Sequence, residues 1–170
     1  PRLWHLRVGE GELRQDLLGA FNWEAKAGAQ LTVDMASLGL SANPADRYVA
    51  FDFWSGAFVP PFSGRLSLSL PPASCKVLSI RRLEDRPQLV STSRHVSQGA
   101  VDLVRLAWDV ATSTLRGSSR VVGGDPYELR ITAPPEPQAW KASVASVSEA
   151  DRAAGVTVEL KQTGPRVRVL

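Results

Sequence analysis

The sequence predicts an all-β protein: an antiparallel β-sandwich of the Greek-key type, arranged as two packed β subdomains. Three observations support this prediction. Apolar and polar residues alternate with a period of two along many short segments, which is typical of strands with one buried face. Turn signals rich in glycine and proline separate these segments at regular spacing. Few windows place apolar residues at the spacing that a helix requires.

The first half of the chain contains most of the predicted strands. Strand-like segments cover residues 3–8, 17–23 and 31–35, and a single helical turn is predicted at residues 35–39. Leucine alternates with serine over residues 66–70, and residues 77–80 continue the alternation after a Pro-Pro pair.

The segment around residues 48–54 has bulky side chains at alternate positions on both faces, so it is predicted to be a central strand or one covered on both sides. Asp52 in these surroundings needs hydrogen-bond donors, because a buried carboxylate without partners is costly. Ser55–Gly56 predicts a tight turn, and Pro60–Pro61 reads as a breaker. The two faces are Val49, Phe51 and Phe53, and Tyr48, Ala50, Asp52 and Trp54.

The second half contains fewer regular segments. Residues 129–132 alternate as a strand, and residues 156–160 and 166–170 are predicted to form a hairpin across 161–165. The best helical window, residues 147–154, is short, with Ser148 as its N-cap.

The aromatic residues divide the chain into two parts. Nine of the twelve Phe, Trp and Tyr residues precede residue 63, and only Trp108, Tyr127 and Trp140 follow residue 85. We therefore expect two domains, residues 1–83 and residues 84–170, each with its own core. The alternative is one continuous sandwich with an aromatic end. Because about 85 residues make a marginal core, the halves are expected to share an interface.

Composition excludes several classes of function. Residues 1–85 include nine basic and nine acidic residues, and residues 86–170 include eleven basic and eight acidic residues. The basic residues are scattered rather than gathered on one helix or face, so no nucleic-acid partner is expected. Apolar runs are too short to cross a bilayer, and neither a membrane partner nor a signal peptide is expected.

One cysteine and two histidines limit the chemistry of the chain. Cys75 cannot form an internal disulfide, and Cys75 with His5 and His95 cannot build a thiolate-rich zinc site. The sequence Gly-Gly-Asp-Pro-Tyr at residues 123–127 lacks the Lys and Ser/Thr of a phosphate-binding loop and is read as a turn. No cofactor and no metal are expected.

Two features are candidate ligand contacts. The polar segment at residues 92–99 contains Arg94, His95 and Gln98, which could hold a sugar hydroxyl or a backbone carbonyl. A structural or interdomain role is the other interpretation of this segment. Among the tryptophans, Trp108 beside Asp109 is the best candidate for an exposed ring on which a sugar could stack. Burial in a core or an interface is the alternative for this indole.

The carboxylates predict no catalytic site. Asp52 could pair with Asp125 or Glu128 only across the two halves, and a retaining glycosidase needs two carboxyl groups about 5 Å apart. Asp52 is therefore interpreted as a structural hydrogen-bond acceptor, and no residue is assigned a catalytic role.

The order of aromatic motifs in the first half resembles the C-terminal β-sandwich of α-galactosidase-type glycoside hydrolases. The resemblance covers roughly residues 13–82. The matching positions are Phe21, Asn22 and Trp23; Leu38, Gly39 and Leu40; Tyr48, Asp52, Trp54 and Gly56; and Pro72 with Ser74 before residues 77–80.

The resemblance implies a function without catalysis. In that family a (β/α)₈ barrel precedes the sandwich and carries two catalytic Asp residues. Nothing in this chain matches them, and 170 residues are too few to include the barrel. The chain is therefore expected to be an accessory domain whose partner is a catalytic barrel of the same parent chain. The alternative is a carbohydrate-binding module with its own sugar site.

Overall fold

The computed structural model describes residues 2–134 and 139–170. Strands make up 47% of the chain and helices 7%, and the strands pair in antiparallel sheets, which confirms the all-β sandwich expected from the sequence. The chain divides into two compact units. The first contains the residues up to Leu83 together with Val96–Ala100, and the second contains Glu84–His95 and Val101–Leu170.

The first unit is built from two sheets. A five-stranded sheet has the order β1-β2-β7-β4-β5, and a two-stranded sheet pairs β3 with β6. The strands are β1 (Leu3–Val8), β2 (Gln15–Asn22), β3 (Ala29–Asp34), β4 (Tyr48–Asp52), β5 (Ala57–Phe62), β6 (Arg65–Leu70) and β7 (Ser74–Arg82).

Both sheets of the first unit contribute to one apolar core. The five-stranded sheet provides every second residue of its central strands, and the two-stranded sheet adds the leucines that alternate with serine on β6. Period-two alternation therefore places the buried face of each strand against the other sheet. The buried cluster consists of Leu18, Ala20, Val33, Met35, Leu38, Tyr48, Ala50, Leu66, Leu68, Leu70, Leu78 and Ile80.

Strand β4 is buried along its whole length, as its bulky residues on both faces predicted. It lies between β7 and β5 in the sheet. The strand is shorter than expected, however, because it ends at Asp52, and residues 53–56 form the turn into β5. Trp54 is consequently 62% exposed at this turn rather than part of a strand face.

The prediction that Pro60–Pro61 interrupts the strand is wrong. Both prolines lie inside β5. This strand pairs only with β4 and forms one edge of the sheet, where a missing N–H breaks no ladder hydrogen bond on the open side. The register between β4 and β5 shifts between Tyr48 and Ala50, which accommodates the irregular strand.

The hydrogen bonds of the Asn22 side chain explain why a polar residue stands in the Phe-Asn-Trp motif. Its side chain is 98% buried and donates from Nδ2 to the carbonyl oxygens of Ala27 and Pro71, each at 2.8 Å. Its Oδ1 accepts from the backbone N–H of Glu24 at 3.1 Å. One amide thus ties together the end of β2 and two neighbouring turns, because it satisfies their backbone groups.

The second unit contains a four-stranded sheet, in the order β12-β13-β11-β8, and a separate hairpin of β9 and β10. Its strands are β8 (Gln88–Thr92), β9 (Leu103–Asp109), β10 (Thr114–Ser119), β11 (Leu129–Thr132), β12 (Leu160–Thr163) and β13 (Arg166–Val169). Strand β11 has the bounds that the alternation predicts.

The predicted C-terminal hairpin exists, but its first strand is displaced. Strand β12 begins at Leu160. The sequence predicts a strand over residues 156–160. Val156 instead donates its N–H to the carbonyl oxygen of Asp151 and closes the end of helix α1 (Glu149–Ala153). Ser148 caps this helix by accepting from the N–H of Asp151, as predicted.

Helical turns are otherwise short in the described residues. Met35–Leu38 form the expected single turn, which Asp34 caps at its start. Gly39 ends the turn with φ 66°, a left-handed conformation that glycine adopts without a steric penalty.

Candidate functional site

The polar residues predicted to bind a ligand belong to both units. Arg94 and His95 are part of the second unit, and Arg94 forms an ion pair with Asp125. Gln98 is part of the first unit, where it is completely buried and donates to the carbonyl oxygen of Val77 at 3.0 Å. The Gln98 amide therefore has a structural role within its unit. Ligand binding by the three residues stays a prediction.

Trp108 lies on β9 and lines a cleft of about 490 Å³ within the second unit. We call this feature the tryptophan cleft. Its walls combine two indole rings with acidic, basic and hydroxyl side chains. The lining residues are Glu84, Asp85, Arg86, Trp108, Val110, Ser113 and Trp140.

The two indoles of the tryptophan cleft stand almost perpendicular to each other. The ring centroids of Trp108 and Trp140 are 5.5 Å apart, and the planes cross at 87°. This edge-to-face contact is a favoured geometry for aromatic pairs. Trp140 also donates from Nε1 to the carbonyl oxygen of Asp85 at 3.2 Å, which fixes the orientation of its ring.

Arg86 gives the tryptophan cleft a positive group among its acidic residues. Its guanidinium carbon lies 5.8 Å from the centroid of the Trp108 ring, within the range of a cation–π contact. The same guanidinium is 2.6 Å from the Glu84 carboxylate. Asp85 is exposed. Two carboxylates and one guanidinium line the cleft, so its formal net charge is −1.

The sequence pointed to Trp108 as a candidate ligand contact but did not predict which residues lie beside it. Glu84, Asp85 and Arg86 stand between β7 and β8, where no periodicity marks them. Trp140 lies outside any strand or helix, 55 residues from Asp85 along the chain. The only available signal was that an isolated tryptophan in an irregular segment needs a partner for its indole N–H.

Asp52 has the donor that its buried position requires. Its Oδ2 accepts from the Lys76 ammonium at 2.5 Å, and the Asp52 side chain is only 4% exposed. Its second oxygen, Oδ1, is buried without a hydrogen-bond partner among the described residues. Asp125 and Glu128 are engaged elsewhere: Asp125 pairs with Arg94, and Glu128 pairs with Arg130 and Arg168.

A second buried carboxylate organises the middle of the second unit. Asp102 is 98% buried and accepts two hydrogen bonds at 2.7 Å on Oδ2, from the hydroxyls of Thr92 and Tyr127. Tyr127 also contacts the Ser119 hydroxyl at 2.9 Å. Burial raises the pKa of the Tyr127 phenol well above its usual range, and the Asp102 carboxylate adds to this increase.

This environment predicts a loss of stability at alkaline pH. An unfolded tyrosine ionises near pH 10, whereas native Tyr127 stays protonated. The contribution of Tyr127 to the free energy of unfolding is therefore complete below about pH 10 and declines as the pH rises further. In urea titrations between about pH 9 and pH 11, the free energy of unfolding should fall less steeply for Tyr127→Phe than for the unmodified protein. Equal slopes would contradict the assignment.

Three aromatic side chains form an exposed surface on the five-stranded sheet of the first unit. The Phe21 ring stacks on Trp23 with centroids 5.0 Å apart and planes parallel to within 1°, and Trp4 packs against Phe21 at 6.0 Å. Trp4 is 60% exposed and Trp23 is 66% exposed. We call these three residues the aromatic patch.

Gly19 makes room for the aromatic patch. It pairs with Trp4 across β1 and β2, and a Cβ atom at this position would lie 3.0 Å from the Phe21 ring. Glycine inside a strand weakens it, so such a position marks a close approach of another group to the backbone. Here that group is the aromatic ring itself.

The described residues contain neither a metal cluster nor a membrane-spanning helix. Among residues 2–134 and 139–170, no group of three or more His, Cys, Asp or Glu side chains could hold a metal ion. Within the same ranges, no helix combines the length and the apolar character needed to span a bilayer. Cys75 is a free, half-buried thiol.

Comparison with known proteins gives no assignment to a family. No protein-family model matches the chain. No curated protein matches it significantly in sequence.

Proposed function

We propose that this chain is a non-catalytic accessory β-sandwich of a glycoside hydrolase of the α-galactosidase type. In this role the first unit packs on a catalytic (β/α)₈ barrel of the parent chain through its aromatic patch. The exposure of Trp4 and Trp23 is the observation that carries the proposal, because tryptophan is normally among the most buried side chains on average.

The aromatic patch has the character of an interface centre. Tryptophan is enriched at protein interfaces, where a few large aromatic residues carry most of the binding energy. The patch is too small to form a whole interface, since a stable contact covers about 800 Å² on each partner. Leu6, on the same face and 57% exposed, extends the apolar area along β1.

The sequence adds support from the same residues. Phe21 and Trp23 of the patch are the aromatic members of the Phe-Asn-Trp motif, on which the resemblance to the α-galactosidase sandwich partly rests. Asn22, between them, is committed to the backbone of its own unit. In this motif the Asn22 side chain is buried and bonds to its own unit, whereas the rings of Phe21 and Trp23 belong to the exposed patch.

The first test is the reading frame that encodes this sequence. We expect it to specify a (β/α)₈ barrel upstream of residue 1, and we expect the present chain alone to give no hydrolysis of aryl α-galactosides. A complete reading frame without a barrel would contradict the proposal. So would turnover by this chain that a single carboxylate substitution abolishes.

The second test compares Trp23→Ser in this chain and in the complete protein. In the isolated chain the change should alter the free energy of unfolding by less than about 1 kcal/mol, because the side chain is mostly exposed. In the complete protein it should remove a buried interface ring and lower the melting temperature by several degrees, roughly the effect of 2 kcal/mol. Trp54→Ser, which is equally exposed but outside the patch, is the control and should have a small effect in both.

A further inference from the structure

The tryptophan cleft has the dimensions of a ligand site. Its volume of about 490 Å³ falls within the range of about 300–1,000 Å³ that small-molecule pockets occupy. Aromatic walls with a few convergent polar groups are the usual composition of such sites. The cleft lies entirely within the second unit and shares no residue with the aromatic patch.

The aromatic walls are held in place before any ligand arrives. The hydrogen bond from Trp140 Nε1 to the backbone of Asp85 and the edge-to-face contact with Trp108 restrain both indoles. Both rings are only half-buried, so part of their surface faces the cleft. The electron-rich face of an indole attracts the slightly positive C–H groups of a saturated ring laid against it.

The polar groups of the cleft select among ligand classes. Glu84 and Asp85 accept hydrogen bonds, Arg86 donates them, and Ser113 can do both. An anionic ligand would meet two carboxylates. A cationic ligand would meet Arg86, whose guanidinium already lies over Trp108. Hydroxyl groups can both donate and accept, so a neutral polyhydroxylated ring matches the whole set.

We propose that the tryptophan cleft binds a neutral pyranose sugar. The sugar ring stacks on the exposed indole surface, its hydroxyls donate to the Asp85 carboxylate, and they accept from Arg86. This site is additional to the packing role of the first unit and does not depend on it. It assigns ligand contacts to Asp85 and Arg86, which the sequence patterns did not single out, and to Trp140, which they offered only as one of several tryptophans.

The test is a titration of intrinsic tryptophan fluorescence in the full chain. The probes are the methyl α- and β-pyranosides of glucose, galactose, mannose and xylose, each raised to about 50 mM. We expect a saturable change with at least one sugar and a Kd on the order of 1 mM. A flat response to all of them overturns the proposal. Saturation by tetramethylammonium but by no sugar also overturns it, in favour of a cation site.

A side-chain variant places the binding in the cleft. Asp85→Ala removes the carboxylate but keeps the backbone carbonyl that holds Trp140, so both reporting indoles remain in position. It should weaken sugar binding about tenfold, the effect of one hydrogen bond to a charged group. Glu10→Ala, which removes an exposed carboxylate of the first unit, is the matched control and should leave the Kd unchanged.

The variants also separate this site from the packing surface. If sugar binding survives Asp85→Ala but is lost in Trp23→Ser, the ligand lies on the aromatic patch and the proposal for the cleft is wrong. If binding depends on Asp85 while the reading frame holds no barrel, the cleft stands and the accessory role falls.

Discussion

Replacing Lys76 with methionine is expected to lower the free energy of unfolding by about 2–4 kcal/mol. Lys76 is the donor to Asp52, whose other oxygen is already buried without a partner among the described residues. Removing the ammonium leaves this carboxylate, which is 4% exposed, without its ion-pair partner. Urea denaturation followed by circular dichroism measures the change.

Two further variants test whether the buried charge is the cause. The double variant Lys76→Met with Asp52→Asn removes the carboxylate charge as well, so it should be more stable than Lys76→Met alone. Lys161→Met is the control, because it breaks the ion pair with Glu159, in which both side chains are more than half exposed. Its cost should stay below about 1 kcal/mol. Equal costs for Lys76→Met and Lys161→Met would show that burial of Asp52 is unimportant.

Replacing Leu78 with alanine is expected to lower the free energy of unfolding by about 3–5 kcal/mol. Leu78 lies on β7 between β2 and β4 and is completely buried in the cluster that joins the two sheets of the first unit. Alanine would leave a cavity that strands on both sides prevent from collapsing. The measurement is again denaturant unfolding.

The control for Leu78 uses the same chemical change on the surface of the same sheet. Leu6→Ala on β1 removes a side chain that is 57% exposed and should cost less than about 1 kcal/mol. Similar losses for the two variants would mean that the two sheets do not share a packed interior, in conflict with the sandwich.

The strands could be predicted because their signal is local. Leu66, Leu68 and Leu70 alternate with serine, and the buried and exposed positions of β6 follow that alternation residue by residue. The single turn at Met35–Leu38 and the cap at Ser148 were also predictable, since each depends on a few neighbouring residues. Tertiary context changed other elements: β5 continues through Pro60–Pro61 because it is an edge strand.

The tryptophan cleft could not be predicted because it depends on contacts between distant residues. Trp140 meets Asp85 across 55 positions, and Trp108 meets Arg86 only once β9 is folded. A sequence shows which side chains are aromatic or charged, but not which of them the turns bring together. The polar segment that looked more promising places Gln98 in the interior of the first unit instead.

The two consecutive prolines of β5 affect how copies of the chain can meet. An open sheet border is a template on which another polypeptide can add a strand and start a fibril. Pro60 and Pro61 have no amide N–H, so an incoming strand would find no donor at either residue, and a carbonyl oxygen that faced this segment would stay unsatisfied. The irregular border therefore protects this side of the sheet against self-assembly.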